Sequence, residues 1–478
     1  MCRINWKLDV NTGKMISIPN YINGKFEISE NKKILKNYKG EDYAVIYNIE
    51  NSSLRNAKRN LFRIRQKLAD MPSHKIVNVL KRSMEYYYSS EKDFEIIANL
   101  TGSPLSFIRN SFIELKKWCS DVQDYIFLCF GHENYDLIPI KHKGEVIAFK
   151  KYVPKGPIIG ILPKNSEAES IYLIAQILLS KNPAIVKASS SLGSSFSSIK
   201  FIEALNKAID ELKDEQLEIL RESISIINIF DNDNLTIIKK LEIENGVYAV
   251  FGSNETLTKV EKELQSSNPN SLIKLGTGLS VSAVLEDADI EFAAQEICHA
   301  ASLNKGNDCI STNVVYVVDR IYDAFLGKLS DESKKFKSTD PFNPSAKIGI
   351  IEKTVVEEVK NKLTELRKHH NLVHDNGMIH LSVIELEDHE HVHEFPAPIL
   401  VIRKVIDEMQ MIEKLKEDIA NNKMKKNLAT SIFTNSQERF EQLARHIPSH
   451  IIKLNKGTEK MNLMLEHQGL YLLKEFLD

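Results

Sequence analysis

The order of apolar segments in the sequence predicts an α/β fold built from two α/β units. From Gly156 onward, short β-branched runs alternate with helical stretches, a pattern typical of a parallel sheet covered by helices. A second alternating block extends from about Val281 to Phe433. Between the N-terminal region and the first block, two strand-like runs, Asp136 to Ile140 and Val146 to Val153, flank a short polar turn and indicate a hairpin.

The individual elements follow from the local patterns. The helical region from about Ser52 to Phe130 has apolar residues at helical spacing, and we expect it to cover or dock rather than to catalyse. The predicted strands of the first block are Ile158 to Leu162, Ala184 to Lys187, Ser225 to Phe230 and Gly246 to Phe251. The predicted helices between them include Ser170 to Leu179 and Ser194 to Ala208.

Composition bounds the class of protein. The chain has 478 residues, of which 42% are hydrophobic and 27% charged, so it is globular and long enough for two or three domains. A net charge of -2 gives no general attraction to nucleic acid or to a membrane surface. We find no apolar run of the roughly 18 to 20 residues that span a bilayer, and Met1 to Lys7 lacks the apolar core of a signal peptide, so we expect a cytoplasmic protein. Five cysteines without a CxxC pair suggest neither a disulfide framework nor a cysteine-rich zinc site.

Cys309 is the most informative of these cysteines. It stands in Gly306-Asn307-Asp308-Cys309, between a helix-like run that ends near Ala301 and the strand-like run Thr312 to Val318. A turn at that place exposes a thiolate to substrate, which suits a nucleophile that forms a thioester. The other interpretation is a small buried hydrophobic side chain, the usual role of a single cysteine.

Two segments carry phosphate-binding signals that are unspecific by themselves. Gly252 to Thr256 follows a strand and opens a helix, as in phosphate sites at helix N-termini, but an ordinary βα turn has the same sequence. Lys187 to Ser190 ends a strand at the carboxyl edge of the predicted sheet, where ligands bind in open α/β folds, although a solvent-exposed lysine explains it as well. Neither a GxGxxG string nor a P-loop is present, which argues against an ordinary Rossmann dehydrogenase or a P-loop kinase.

Several segments occur in a specific order. They are Gly156 to Asn165, Lys187, Phe251-Gly252-Ser253, Leu275-Gly276, Asp287 to Ile290, Cys309, Glu394 to Pro398 and Leu428 to Thr434. In this order and spacing, the chain from about Asp136 to its C-terminus resembles the aldehyde dehydrogenase superfamily. The resemblance implies a Rossmann-type cofactor domain, an α/β catalytic domain and an oligomerisation hairpin.

The resemblance also assigns roles to single residues. Cys309 falls where the nucleophile belongs, and Asn165 takes the place of the asparagine of the oxyanion hole. Lys187 would bind the adenosine ribose of the cofactor, and Glu394 would bind the nicotinamide ribose. The further residues implied in cofactor binding are Ser189, Ser190, Gly252, Ser253, Leu275 and Gly276.

The sequence departs from this pattern at Lys274. Hydrolytic aldehyde dehydrogenases have a glutamate there that activates water against the acyl-enzyme, and a protonated lysine cannot act as that base. With this lysine and the N-terminal helical region, the chain resembles the acyl-CoA reductases of the bacterial bioluminescence fatty-acid reductase family. That resemblance implies NADPH-dependent reduction of long-chain acyl-CoA to aldehyde, or of an acyl group received from an acyl-protein synthetase. Ser190 stands where NAD-preferring relatives often have a glutamate, so a 2′-phosphate would meet no like charge there.

We therefore expect a homo-oligomer, a dimer or a tetramer, with five regions. These are a mostly helical part of the cofactor domain (1–135), the oligomerisation hairpin (136–152), the dinucleotide-binding domain (153–274), the catalytic domain (275–436) and a C-terminal oligomerisation segment (437–478). Two other functions stay open, an NAD(P)-dependent aldehyde dehydrogenase and a non-catalytic partner of an acyl-protein synthetase. The cluster His389 to Glu394 suggests a metal site, but we identify no second ligand group and predict no metal.

Overall fold

A computed structural model describes residues 15–189, 193–231, 234–265, 271–366, 372–374, 380–386, 392, 395–421, 426–459 and 463–478. The chain divides into two compact units. Unit 1 comprises Met1–Thr101, Arg109–Leu275 and Asn462–Asp478, and unit 2 comprises Gly102–Ile108 and Gly276–Met461.

The N-terminal region contains short strands followed by helices. The strands are β1 (Ile16–Ile18), β2 (Asn20–Ile22), β3 (Lys25–Glu27), β4 (Lys32–Lys36) and β5 (Asp42–Tyr47). The helices are α1 (Asn51–Ala69), α2 (Ser73–Tyr88), α3 (Glu91–Thr101), α4 (Leu105–Ser120) and α5 (Val122–Phe130). The sequence pattern revealed the helices but not the strands, because strands of three to six residues give too few alternations to be detected.

The predicted hairpin is present as β6 (Ile138–His142) and β7 (Glu145–Lys150). Its turn places Lys143 and Gly144 at φ values of 50° and 89°, the left-handed conformations that a tight two-residue turn requires. Every residue of β7 is exposed, although Ile147 and Phe149 are apolar. An exposed strand with unpaired backbone groups on its outer side is able to pair with a further strand.

The sheet of unit 1 alternates with helices as predicted. Its strands are β8 (Ile158–Ile161), β9 (Ala184–Lys187), β10 (Ile224–Ile227), β11 (Val247–Phe251) and β12 (Ser271–Leu275). The helices are α6 (Glu167–Leu179), α7 (Ser194–Leu212), α8 (Glu218–Ser223), α9 (Asn234–Leu241) and α10 (Asn254–Leu264). The described strands form a seven-stranded sheet in the order β12-β11-β8-β9-β10-β2-β3. From β8 to β10 the chain proceeds in one direction, and it then returns to the other side of β8 for β11 and β12. The topological switch point, where ligands bind in open α/β sheets, therefore lies between β8 and β11.

Unit 2 is a second α/β unit. Its strands are β13 (Leu279–Val284), β14 (Val314–Val318), β15 (Leu372–His374), β16 (Ser382–Leu386), β17 (Ile399–Val405), β18 (Asn427–Phe433) and β19 (Ile451–Leu454). Its helices are α11 (Ile290–Ser302), α12 (Tyr322–Ser333), α13 (Lys353–Leu366), α14 (Glu408–Asn421) and α15 (Gln437–Ala444). The sheet order is β15-β16-β17-β14-β13-β18-β19. A last short helix, α16 (Leu472–Glu475), returns to unit 1.

The core of unit 2 lies on both faces of its sheet. On β14, Val315 and Val317 pack into one apolar cluster, whereas Val314, Tyr316 and Val318 pack into the cluster on the other face. A strand buried on both sides reads as a continuous apolar run, as Val314–Val318 does. Within the described residues, none of the helices combines the length and the apolar character that crossing a bilayer requires.

Candidate active site

Cys309 lies in a tight turn between α11 and β14 of unit 2, as the sequence predicts. The chain reverses through three consecutive left-handed residues, Asn304, Lys305 and Gly306, with φ values of 45°, 63° and 73°. A Cβ atom at Gly306 would come within 2.3 Å of the backbone carbon of Ala397. Only glycine therefore allows this approach, which places the loop against the segment before β17.

Hydroxyl groups hold the backbone of the cysteine loop in place. Ser280 Oγ on β13 donates to the Cys309 carbonyl oxygen at 3.3 Å, and Ser311 Oγ donates to the Leu303 carbonyl oxygen at 3.2 Å. Thr458 is completely buried, and its Oγ1 donates to the Ile310 carbonyl oxygen at 2.7 Å. These bonds satisfy carbonyls of an irregular segment and fix the position of the sulfur.

Asp308 is the carboxylate next to this sulfur. The Cys309 thiol donates to Asp308 Oδ1 over 3.7 Å, and the Ile310 backbone N–H donates to the same oxygen at 3.2 Å. Burial raises the pKa of Asp308 above its ordinary value, and the hydrogen bonds from Ile310 and Cys309 oppose part of that rise. The sequence alone assigns no role to Asp308, although it directly precedes Cys309.

The predicted cofactor residues of unit 1 lie at one edge of its sheet. The parallel registers pair Ile161 of β8 with Lys187 of β9, and Phe251 of β11 with Leu275 of β12. Because the carboxyl ends of parallel strands meet at the same edge, Asn165, Lys187, Gly252 and Leu275 all follow or end strands there. This edge includes the switch point between β8 and β11.

Lys187 combines a charge with a half-buried position at this edge. Burial, and to a smaller extent the positive charge of Lys33, lower the pKa of its ammonium group to about 8. Ser189 is buried, and its backbone N–H donates to Ser194 Oγ at 2.9 Å, while its carbonyl oxygen accepts from Ser195 Oγ at 2.8 Å. A lysine whose charge is poorly solvated is stabilised by an anionic or polar ligand.

The turn after β11 opens α10. Ser253 is the N-cap of this helix, and its Oγ accepts from the Thr256 backbone N–H at 3.3 Å. A Cβ atom at Gly252 would lie 3.2 Å from Thr256 Cγ2, so glycine allows the strand end to approach the helix closely. The positive end of the α10 dipole therefore faces the carboxyl edge, which suits a phosphate group. The residues present at this edge fit a dinucleotide cofactor.

Asn165 lies in unit 1, directly before Ser166, the N-cap of α6, and its side chain is half-buried. Gly276 is buried and begins the second segment of unit 2. Ser190 and Glu394, also predicted to bind the cofactor, lie outside the described residues, as do His391 and His393 of the histidine cluster. In the parts of the chain that the structure describes, no three His, Cys, Asp or Glu side chains are grouped as around a metal ion.

Lys274 projects from β12 and is exposed. Its Nζ atom lies 2.9 Å from Glu261 Oε1 on α10, in an ion pair in which both side chains keep more than two fifths of their surface, 43% and 45%, in solvent. Lys274 is therefore a surface cation with a carboxylate partner.

His467 is a buried residue for which the sequence predicts no role. It lies in unit 1, with its ring centroid 5.9 Å from that of Phe251 and 6.3 Å from that of Tyr172. Burial lowers the pKa of its imidazole to about 4, so the ring is neutral at ordinary pH. Thr458 and His467 gave no sequence signal, because each is far along the chain from the residues that it contacts.

Comparison with known proteins defines the class. The model of the aldehyde dehydrogenase family matches residues 27–470, and the chain belongs to this family of oxidoreductases, whose members use NAD(P). A salicylaldehyde dehydrogenase from Pseudomonas putida G7 superposes with a TM-score of 0.81 at 16% identity, over 97% of each chain, which shows the fold. The predicted α/β fold of this type is confirmed.

Two curated relatives indicate how far this similarity extends. Lactaldehyde dehydrogenase of Methanococcus maripaludis is 24% identical over 458 residues, which is 91% of each chain. Long-chain acyl-protein thioester reductase 2 of Photobacterium leiognathi is 27% identical over 193 residues, covering 40% of this chain and 38% of that protein. Several other curated relatives are matched over only about two fifths of their own length, 43% and 40% in two of them.

Proposed function

We propose that this protein reduces long-chain acyl thioesters to aldehydes with NADPH, through an acyl group carried on Cys309. The main support for this proposal is that residue 274 is a lysine. A surface ammonium paired with Glu261 takes the place of the glutamate that activates water in hydrolytic members of the family. Without that base, an acyl-enzyme is hydrolysed slowly and persists long enough to be reduced.

The roles of the residues follow from their chemistry. The Cys309 thiolate attacks the carbonyl of an acyl-CoA, or of an acyl group delivered by an acyl-protein synthetase. The Asn165 side-chain amide and the Cys309 backbone N–H would stabilise the oxyanion of the tetrahedral intermediate. When this intermediate collapses, the thiol of the substrate leaves and a Cys309 thioester remains. Lys187, with Ser189, Ser190, Gly252, Ser253, Leu275, Gly276 and Glu394, would hold the cofactor. When bound, NADPH supplies the hydride that reduces the thioester carbonyl to the aldehyde level.

Two further observations support this proposal. The thioester reductase of P. leiognathi acts, by its name, on a long-chain acyl-protein thioester. Ser190 supplies no carboxylate against a 2′-phosphate, which favours NADPH over NADH. We also infer a cytoplasmic homo-oligomer, a dimer or a tetramer, paired through β6 and β7.

A second candidate function is the oxidation of an aldehyde with NAD(P). The match to lactaldehyde dehydrogenase over 91% of both chains favours it. A non-catalytic partner of an acyl-protein synthetase is a third candidate, but such a protein needs neither Cys309 nor Asn165.

Paired incubations separate the three candidates. The first contains a long-chain acyl-CoA and NADPH, and the second contains the corresponding aldehyde with NADP and no coenzyme A; the products are identified by mass spectrometry. The proposal predicts aldehyde in the first incubation and little acid in the second, with both activities absent from Cys309→Ala. Rapid acid formation in the second incubation, with none of the first reaction, identifies an aldehyde dehydrogenase. If the wild type forms no product in either incubation, even after an acyl-protein synthetase is added, the protein is non-catalytic.

A further inference from the structure

The thiol of Cys309 has a carboxylate as its neighbour. The thiol donates to Asp308 Oδ1 over 3.7 Å, and that oxygen is held by the Ile310 N–H at 3.2 Å. The Asp308 carbonyl oxygen also accepts from the Ser311 N–H at 3.0 Å. The backbone carbonyl and the side-chain carboxylate of Asp308 are therefore both fixed, and the carboxylate oxygen stays directed at the sulfur.

Hydroxyl groups hold the backbone on either side of this pair. β13 presents Ser280, and the segment after β19 presents Thr458, each bonded to the backbone of the cysteine loop. Lys305 is an ionisable residue of the same loop. Glu459 follows Thr458 in the sequence, and its Oε1 atom lies 3.1 Å from His299 Nδ1. Desolvation is the largest cause of the raised pKa of Asp308, and the other causes are hydrogen bonds from Ile310 and Cys309, which lower it.

A carboxylate with a raised pKa is a stronger base than an ordinary one. An ionised carboxylate beside a thiol also disfavours a thiolate, unless the carboxylate itself takes the proton. Two groups this close therefore titrate as a pair that shares one proton.

We propose that Asp308 is a catalytic residue that accepts the proton of the Cys309 thiol. The S–H bond breaks, its electron pair stays on sulfur, and an O–H bond forms at Asp308. The sulfur then attacks the thioester carbonyl, the bond from the acyl carbon to the leaving sulfur breaks, and the departing thiolate takes the proton that Asp308 holds. This step returns Asp308 to its ionised form. The inference rests on Cys309 being the nucleophile of the proposed function.

The test is the pH dependence of Cys309 alkylation in the full-length protein. Iodoacetamide reacts with the thiolate, and peptide mass spectrometry measures modification at Cys309 separately from the other cysteines, with Cys309→Ala as the blank. A pair that shares one proton gives two rises in rate between about pH 5 and 10, separated by a plateau in which the proton lies partly on Asp308. We expect Asp308→Asn to give a single rise and to react at least about tenfold more slowly near pH 6.

Control variants separate this role from effects of charge and folding. Asp331→Asn removes an exposed carboxylate of α12, and we expect the wild-type profile, because exposed charges act weakly over distance. Asp308→Glu keeps a carboxylate and should retain the plateau. A single rise in the wild type overturns the proposal, and so does faster alkylation of Asp308→Asn near pH 6, which would show that the carboxylate only repels the thiolate. If Asp308→Asn does not fold, the profiles of the wild type and of Asp308→Glu decide.

This test needs neither acyl-CoA nor NADPH. A two-step profile without NADPH consumption contradicts the proposed reduction and supports the role of Asp308. NADPH consumption with a single-step profile supports the proposed reduction and contradicts the role of Asp308.

Discussion

Replacing Thr458 with valine removes the hydroxyl that holds the cysteine loop but keeps the shape of the side chain. In the wild type, Thr458 Oγ1 donates to the Ile310 carbonyl oxygen at 2.7 Å and lies 2.9 Å from Thr312 Oγ1. Thr312 can turn toward Ser282 Oγ, which is 3.5 Å away, so one buried carbonyl is left without this donor. An unsatisfied buried acceptor costs about 1–3 kcal/mol, and we expect Thr458→Val to lose that much unfolding free energy.

The assay is urea unfolding, together with the rate of Cys309 alkylation. Thr458→Ser is the matched control, because it keeps the hydroxyl and removes one methyl group, worth about 1 kcal/mol. We expect Thr458→Val to change both the stability and the alkylation rate, whereas Thr458→Ser changes the stability alone. Wild-type stability and alkylation in Thr458→Val would refute this account of the loop, and so would an altered alkylation rate in Thr458→Ser.

Four further predictions concern other parts of the molecule. Because burial lowers the pKa of Lys187 to about 8, its positive charge is lost as the pH rises through that value. NADPH affinity, measured by fluorescence titration, should therefore weaken above about pH 8 in the wild type but not in Lys187→Met, and equal slopes would contradict the assigned role. For His467, the pKa is lowered from 6.5 to about 4, so the unfolding free energy should fall by about 3 kcal/mol as the pH drops through this interval. The variant His467→Phe should lack this part of the pH dependence, and an unchanged dependence would refute the prediction. Lys274→Glu should speed release of free acid from the acyl-enzyme while losing less than about 1 kcal/mol of stability, since the ion pair with Glu261 is exposed; unchanged acid release would contradict the interpretation of Lys274. Ile147→Glu on the exposed strand β7 should lower the oligomer mass measured by light scattering, and an intact oligomer would exclude this strand as the interface.

The sequence predicted the fold best where a local pattern reflects a buried environment. Val247–Phe251 is a continuous apolar run because β11 is covered on both faces, and it was recognised from that run. The N-terminal strands β1 to β5 were missed, because each has only three to six residues. In addition, β2 pairs with the distant strand β10, and β1 pairs with β5 across three intervening strands.

The same division applies to the candidate site. The turns at Cys309 and Gly252 could be predicted, because a turn between two regular elements is visible in the sequence. Thr458 was not found, because its contact with Ile310 joins residues 148 positions apart. Asp308 precedes Cys309 in the sequence, but only the distance from its carboxylate to the sulfur and the desolvation of that carboxylate indicate a chemical role.

The lifetime of the acyl group on Cys309 is the most direct test of the proposed reduction through a Cys309 thioester. The protein is incubated with a radiolabelled long-chain acyl-CoA in the absence of cofactor, and the label on Cys309 is followed over time before NADPH is added. We expect the label to remain on Cys309 and to be released as aldehyde after NADPH is added. Loss of the label as free fatty acid before that addition, or no labelling at all, would contradict it.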